Sequence, residues 1–261
     1  MKILFAASEC VPFIKTGGLA DVVGALSPVL KAQGHDVRVI LPLYAAIPEQ
    51  YVSQMKLECE FEVELCWRRQ YCGIFEARSG GVIYYLIDNQ YYFKRKGLYG
   101  HYDDAERFAF FSRAVLEMLQ YIDFRPDILH ANDWQAALSV VYLKLQYIRY
   151  PFYENIKTLF VIHNIAYQGR YGQAVFDTVL GLPAHVRPVM DCDGDVNYMK
   201  AAIALADRVV TVSPRYAGEI LTDHFGRGMQ HILRDASHKL SGILNGIDTA
   251  SFDPKTDRAI F

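Results

Sequence analysis

Ser8-Glu9-Cys10-Val11-Pro12-Phe13-Ile14-Lys15-Thr16-Gly17-Gly18-Leu19-Ala20-Asp21 lies between an apolar run and an amphipathic one, and its reading decides the fold. Upstream, residues 2–8 are short, apolar and closed by a turn signal, the pattern of a strand buried on both faces of a parallel sheet. Downstream, Leu19, Val22, Val23, Leu26, Val29 and Leu30 recur at helical spacing until Gly34, a stop just past a helix end. The unit is strand, glycine-bearing loop, helix. It puts Gly17 and Gly18 at or near a helix N-terminus, where backbone N–H groups and the helix dipole favour an anion. Lys15, two residues earlier, adds a full positive charge. Neither common phosphate fingerprint is present, because the glycines are adjacent and Lys15 precedes them rather than following. The residues alone leave two readings open, an anion site and a plain Gly-Gly turn.

Working outward, residues 35–42 supply a second strand and complete a βαβ unit whose crossover is right-handed. Residues 127–133, 158–164 and 208–213 read as further buried strands, the first two with polar residues at their carboxyl ends, and residues 239–248 as a last strand and turn. Helices are expected over 136–145, over about 196–206, and from Pro214 onward. Between 56 and 88 the pattern changes to alternation: Phe61, Val63 and Leu65 share one face and Glu60, Glu62 and Glu64 the other, a wet stripe. Ser79-Gly80-Gly81 divides two more strand-like runs, so the region reads as antiparallel strands or a hairpin inserted into the parallel scaffold. Residues 89–102 form a polar, aromatic loop whose rings either stack on sugar faces or pin the loop to the surface. Asp103-Asp104 then caps a helix with the core stripe Phe108, Phe111, Val115, Met118, Leu119 and Ile122. The fold class is α/β: a doubly wound, mainly parallel, Rossmann-like sheet with an antiparallel hairpin insertion.

A chain of 261 residues, 52% hydrophobic and 21% charged, buries a sizeable core. A formal net charge of −2 argues against nucleic acid as the main partner. Trp67-Arg68-Arg69 and Lys94-Arg95-Lys96 read as solvated. Cys10, Cys59, Cys66, Cys72 and Cys192 form no Cys-x-x-Cys pair, so neither a disulfide framework nor a zinc ribbon is indicated, and a reducing cytoplasm is expected. No apolar run approaches a membrane span, and the apolar start is too short for a signal peptide. Asp191-Cys192-Asp193-Gly194-Asp195 lacks the glycine and glutamate of a calcium loop, and its acidic residues suit the approach to a helix, so no metal site is expected. No nucleophile elbow is present, and Gly-x-Gly-x-x-Gly, the mark of nicotinamide-dependent oxidoreductases, is absent.

Lys15-Thr16-Gly17-Gly18-Leu19-Ala20-Asp21, following a first strand and Ser8-Glu9, resembles the N-terminal signature of bacterial glycogen synthases and plant starch synthases. His130-Ala131-Asn132-Asp133-Trp134-Gln135 and His163-Asn164-Ile165-Ala166-Tyr167-Gln168-Gly169 resemble two more family segments, in family order. Asn197-Tyr198-Met199-Lys200-Ala201, Thr211-Val212-Ser213-Pro214-Arg215-Tyr216 and Asn245-Gly246-Ile247-Asp248 extend the match over essentially the whole chain.

The resemblance implies the N-terminal half of a two-Rossmann-domain (GT-B) glycosyltransferase. Its activity would be retaining transfer of glucose from ADP-glucose to the non-reducing end of an α-1,4-glucan. It implies Lys15, Gly17, Gly18, His163, Asn164 and Asn245 at the donor, His163 and Asp133 at the reacting sugar, and Glu9, Asp21 and Phe93 on sugar or acceptor. No cofactor or metal is implied; in such enzymes the leaving phosphate itself takes the acceptor proton. Residues 1–250 are expected to form the catalytic domain's N-terminal part, and 251–261 the start of a linker to a C-terminal Rossmann-like domain not found in this sequence. The isolated chain is then expected to turn over weakly or not at all. Cytoplasm is the expected compartment, or plastid stroma for a plant homologue. The alternative function is a non-catalytic α-glucan-binding module.

Overall fold

The computed structural model describes residues 1–249 and 253–256. Most of the expected linker segment therefore lies outside the described residues. Strands β1 (Lys2–Ala6), β2 (Asp36–Pro42), β3 (Lys56–Leu65), β4 (Arg68–Ser79), β5 (Val82–Asp88), β6 (Ile128–Asn132), β7 (Lys157–Ile162), β11 (Arg208–Thr211) and β12 (Leu240–Gly242) form one nine-stranded sheet. Its order is β12-β11-β7-β6-β1-β2-β5-β4-β3. From β12 to β5 all pairings are parallel, and only β5-β4 and β4-β3 are antiparallel. The antiparallel part lies at one edge: β5 pairs parallel with β2, and β3 and β4 extend the sheet beyond it. Gly80 and Gly81, both at positive φ, make the tight β4–β5 turn.

Helix α1 (Gly18–Ala32) links β1 to β2, and the helix Asp133–Leu145 links β6 to β7 in the opposite direction across the sheet. Right-handed crossovers then put these helices on opposite faces, which is what double winding means. The second face also carries Asp104–Glu117 and Tyr198–Leu205, both packed on Asp133–Leu145. The expected core stripe is buried from this helix into the turn after it, with Phe108, Phe111, Val115, Met118 and Leu119 at most 1% exposed and Ile122 partly buried. Gly24, inside α1, leaves room for the preceding loop: a Cβ there would stand 2.2 Å from Val11 Cγ2.

The order reverses between β1 and β6, so the crevice at their carboxyl ends is the switch point where ligands bind such sheets. A small second sheet pairs β8 (Arg170–Gly172), β9 (Asp191–Cys192) and β10 (Asp195–Asn197). The acidic run 191–195 is its hairpin. Asp193 and Gly194 hold positive φ in the turn, and Arg170 pairs with Asp195 at 3.2 Å.

Candidate functional site

The loop after β1 is shaped by one buried carboxylate. Glu9, 5% exposed, accepts from the Thr16 amide, from Thr16 Oγ1 at 3.0 Å and from the Gly17 amide at 3.2 Å. Its surroundings at the helix N-terminus explain this, since a carboxylate there satisfies donors that the helix cannot. Two expectations change as a result. The Gly17 N–H is already occupied, and Glu9 organises the loop rather than projecting toward a sugar. Gly17 is the N-cap and Gly18 the first helical residue, and a Cβ at Gly18 would meet nothing within 4 Å, so the helix end is open to solvent. Lys15 and Asp21 face solvent as an ion pair at 2.7 Å.

The aromatic loop reaches the same place by another route. Tyr99 OH bonds Ser8 Oγ at 2.7 Å and Glu9 Oε1 at 3.3 Å. Arg107, fully buried, holds the loop's backbone by donating to the carbonyls of Tyr92 at 2.7 Å and Leu98 at 3.1 Å, and pairs with Asp104 at 2.5 Å. Asp104 in turn accepts from the Gly100 amide, and Asp103 pairs with Arg95, so neither aspartate caps the helix through its side chain. Arg68 likewise pairs with Glu106 at 3.1 Å instead of standing solvated. Phe93 is corrected: it is 0% exposed, packed against Tyr44, Tyr92 and Phe110, and pins the loop. No sugar reaches its ring.

Across the switch point, Asp133 opens the helix after β6 with φ +54°, a left-handed conformation costly for a residue with a Cβ. Its Oδ1 accepts from the amides of His163 at 2.8 Å and Asn164 at 3.4 Å, tying the ends of β6 and β7 together. Burial pushes its carboxyl up to about 7 against the pull of those donors, and the Glu9 charge adds to the rise. His163 is lowered to about 4 by burial, and His130, stacked on Phe5 at 4.1 Å, to about 3. Both imidazoles are neutral at pH 7.

The loop 163–169 is fixed from several sides. Asn164 Oδ1 accepts from the Ala166 amide at 3.0 Å in an Asx turn. Tyr216 OH accepts from the Ile165 amide at 3.1 Å, and Asn197 Nδ2 donates to Gln168 Oε1 at 2.8 Å. Gly169 has φ +65° and lies against Trp134, whose ring a Cβ would approach to 2.7 Å. A cavity of about 450 Å³ opens beside this loop, lined by Trp134, Tyr167, Arg170 and Arg227 among others. Asn245, exposed, shares a second, apolar cavity of about 440 Å³ with Asn132 and His163. The structure thus brings Lys15, Glu9, Asp21, Asp133, His163 and Asn164 to one sheet edge, with Asn245 lining the cavity that His163 also borders and Phe93 outside. Sequence reasoning missed Tyr99, Asn132 and Arg107 as parts of this edge, and only the ring of Tyr99 within a polar loop offered a signal. Among the described residues no cluster of His, Cys, Asp or Glu is placed to hold a metal ion, and no helix is long and apolar enough to cross a membrane.

A doubly wound sheet with polar loops gathered at its switch point is the form of a Rossmann-like ligand-binding domain, the class to which the halves of GT-B glycosyltransferases belong. The chain belongs to the starch synthase catalytic domain family, whose model matches residues 2–235. It is similar to glycogen synthases of Clostridium novyi (48% identity, all of this chain, 55% of the relative) and Bacillus subtilis (48%, 98% and 54%). Among solved structures it is similar to the catalytic domain of starch synthase IV from Arabidopsis thaliana bound to ADP and acarbose. There the TM-score is 0.89 and the identity 33%, over 98% of this chain and 54% of that one. The chain spans about half the length of the relatives it matches.

Proposed function

We propose that this chain forms one wall of a retaining glucosyltransferase that moves glucose from ADP-glucose to the non-reducing end of an α-1,4-glucan. The observation that carries this is the tie between the two crossover ends: Asp133 binds the His163 and Asn164 amides while Glu9 fixes the Lys15 loop across the same crevice. Loss of ADP leaves negative charge on the diphosphate and positive charge on the sugar ring, so the wall needs a cation at one end and oxygen or nitrogen acceptors at the other. Lys15 and the open helix end at Gly18 meet the first demand. The Lys15–Asp21 pair, with side chains 47% and 38% exposed, contributes at most about 1 kcal/mol, so a diphosphate displaces Asp21 cheaply. Asp21 is then left for a sugar hydroxyl. His163, Asn164 and Asn245 meet the second demand.

Imidazoles lowered to about 3 and about 4 are weak bases, which favours the leaving phosphate as the group that takes the acceptor's proton. The reading draws support from the Arabidopsis starch synthase IV structure, which holds both ADP and acarbose. We take residues 1–250 as an N-terminal Rossmann-like domain, 251–261 as the approach to a second such domain, and the cytoplasm as its compartment. The test is transfer of labelled glucose from ADP-glucose to maltoheptaose by this chain alone and by this chain joined to the C-terminal half of the Bacillus subtilis relative. Transfer with retained anomeric configuration by the fusion, with little by the chain alone, is expected. A well-folded fusion that binds maltoheptaose but transfers nothing would show a glucan-binding module instead.

A further inference from the structure

Asn132 carries contacts that the proposed reading does not use. Its side chain is fully buried at the carboxyl end of β6. Its Nδ2 donates to the carbonyl oxygens of Ala6 and His130, each at 3.1 Å, and lies 3.3 Å from His130 Nδ1. A carbonyl oxygen only accepts, so these two partners fix which end of the amide is the NH₂. The Oδ1 is thereby turned toward His163, 3.1 Å from Nε2. An amide oxygen has no proton to give, so the hydrogen in this contact sits on the ring nitrogen.

We infer that Asn132 is a positioning residue that holds His163 as its Nε2–H tautomer and leaves Nδ1 as a hydrogen-bond acceptor. The opposite tautomer sets the Nε2 lone pair against Oδ1, two acceptors at hydrogen-bond distance inside the protein, where an unmade bond is costly. Turning the amide over gives no relief, since its oxygen would then face two carbonyl oxygens. Burial keeps the ring neutral at pH 7, so the tautomer alone decides which nitrogen donates. Resting on the reading above, His163 then receives a hydroxyl hydrogen from the donor glucose and gives no proton to the reaction.

The experiment is a long-range ¹H–¹⁵N correlation spectrum of the ¹⁵N-histidine-labelled 261-residue chain at pH 7, with His163 assigned by its absence in His163→Gln. The wild type is expected to favour Nε2–H by about tenfold or more, the worth of one net hydrogen bond. An Nδ1–H signal, or an even mixture, overturns the inference. Asn132→Leu is expected to lose the preference while keeping a cooperative thermal transition. A folded Asn132→Leu chain that still shows pure Nε2–H also overturns it. If that variant fails to fold, the wild-type spectrum decides. Adding ADP-glucose to the chain joined to the C-terminal half of the Bacillus subtilis relative separates the two claims: a shift of the Nδ1 resonance supports the donor-site reading, and no shift with the Nε2–H tautomer intact removes that reading but leaves the role of Asn132 standing.

Discussion

At the scale of single residues the site is built on charges and protons whose energetics give opposite signs. Asp133 is raised by burial to about 7 from an ordinary value of 3.8. Between those values the unfolded chain releases the proton and the folded chain keeps it, so this residue lowers stability as pH rises through the window. His130 and His163 are lowered from 6.5 to about 3 and about 4. Over the pH range from about 4 to 6.5 the unfolded chain binds their protons and the folded chain refuses them, so they raise stability with pH. Two groups oppose one. Asp133→Asn, which keeps the Oδ1 acceptor and tolerates positive φ, removes the single opposing term. Urea unfolding should show the variant gaining on the wild type steadily from pH 4 to pH 7, and a constant difference would mean that the carboxyl is ionised in the folded chain. Lys15 makes the second case. It pairs with the exposed Asp21, so Lys15→Gln should change stability by no more than about 0.5 kcal/mol while weakening ADP-glucose binding by calorimetry in the fused enzyme. Large destabilisation with unchanged affinity would make the lysine structural.

At the scale of elements, what was legible in the sequence is what periodicity controls. Leu4 and Phe5 of the first strand and Val23 of α1 are fully buried, and β6, β7 and β11 fall where short apolar runs with polar ends put them, because these depend on neighbours close in the chain. What was not legible depends on distant partners. Nothing local marks Glu9 as the anion that fills the helix N-terminus, since Thr16 and Gly17 meet it only after the loop has folded back. Phe93 sits in a loop without buried period, and it is buried because Arg107, many residues on, holds that loop's carbonyls. Asp193-Gly194 was readable as hairpin turn chemistry, yet its acidic neighbours drew attention to helix ends instead. Among the loops, 163–169 is where packing and function meet. Gly169→Ala must move the Trp134 indole or the loop and adopt positive φ, so it should cost about 2 kcal/mol in urea unfolding. A neutral substitution there would show that the loop is not clamped against the tryptophan.

At the scale of the whole molecule, the account rests on one sheet edge. The strand order reverses between β1 and β6, Glu9 and Asp133 stand at the two ends that this reversal creates, and the loops they fix carry the residues proposed to bind the donor. The hairpin β3–β4 lies at the far edge of the sheet. Hydrogen exchange of the 261-residue chain with and without saturating ADP-glucose tests this most directly, because it reads every backbone amide at once. The account predicts slowed exchange in peptides spanning 15–21 and 163–169 and unchanged exchange in 56–79. Protection centred on the β3–β4 hairpin, or none at the switch point with the ligand demonstrably bound, would contradict it.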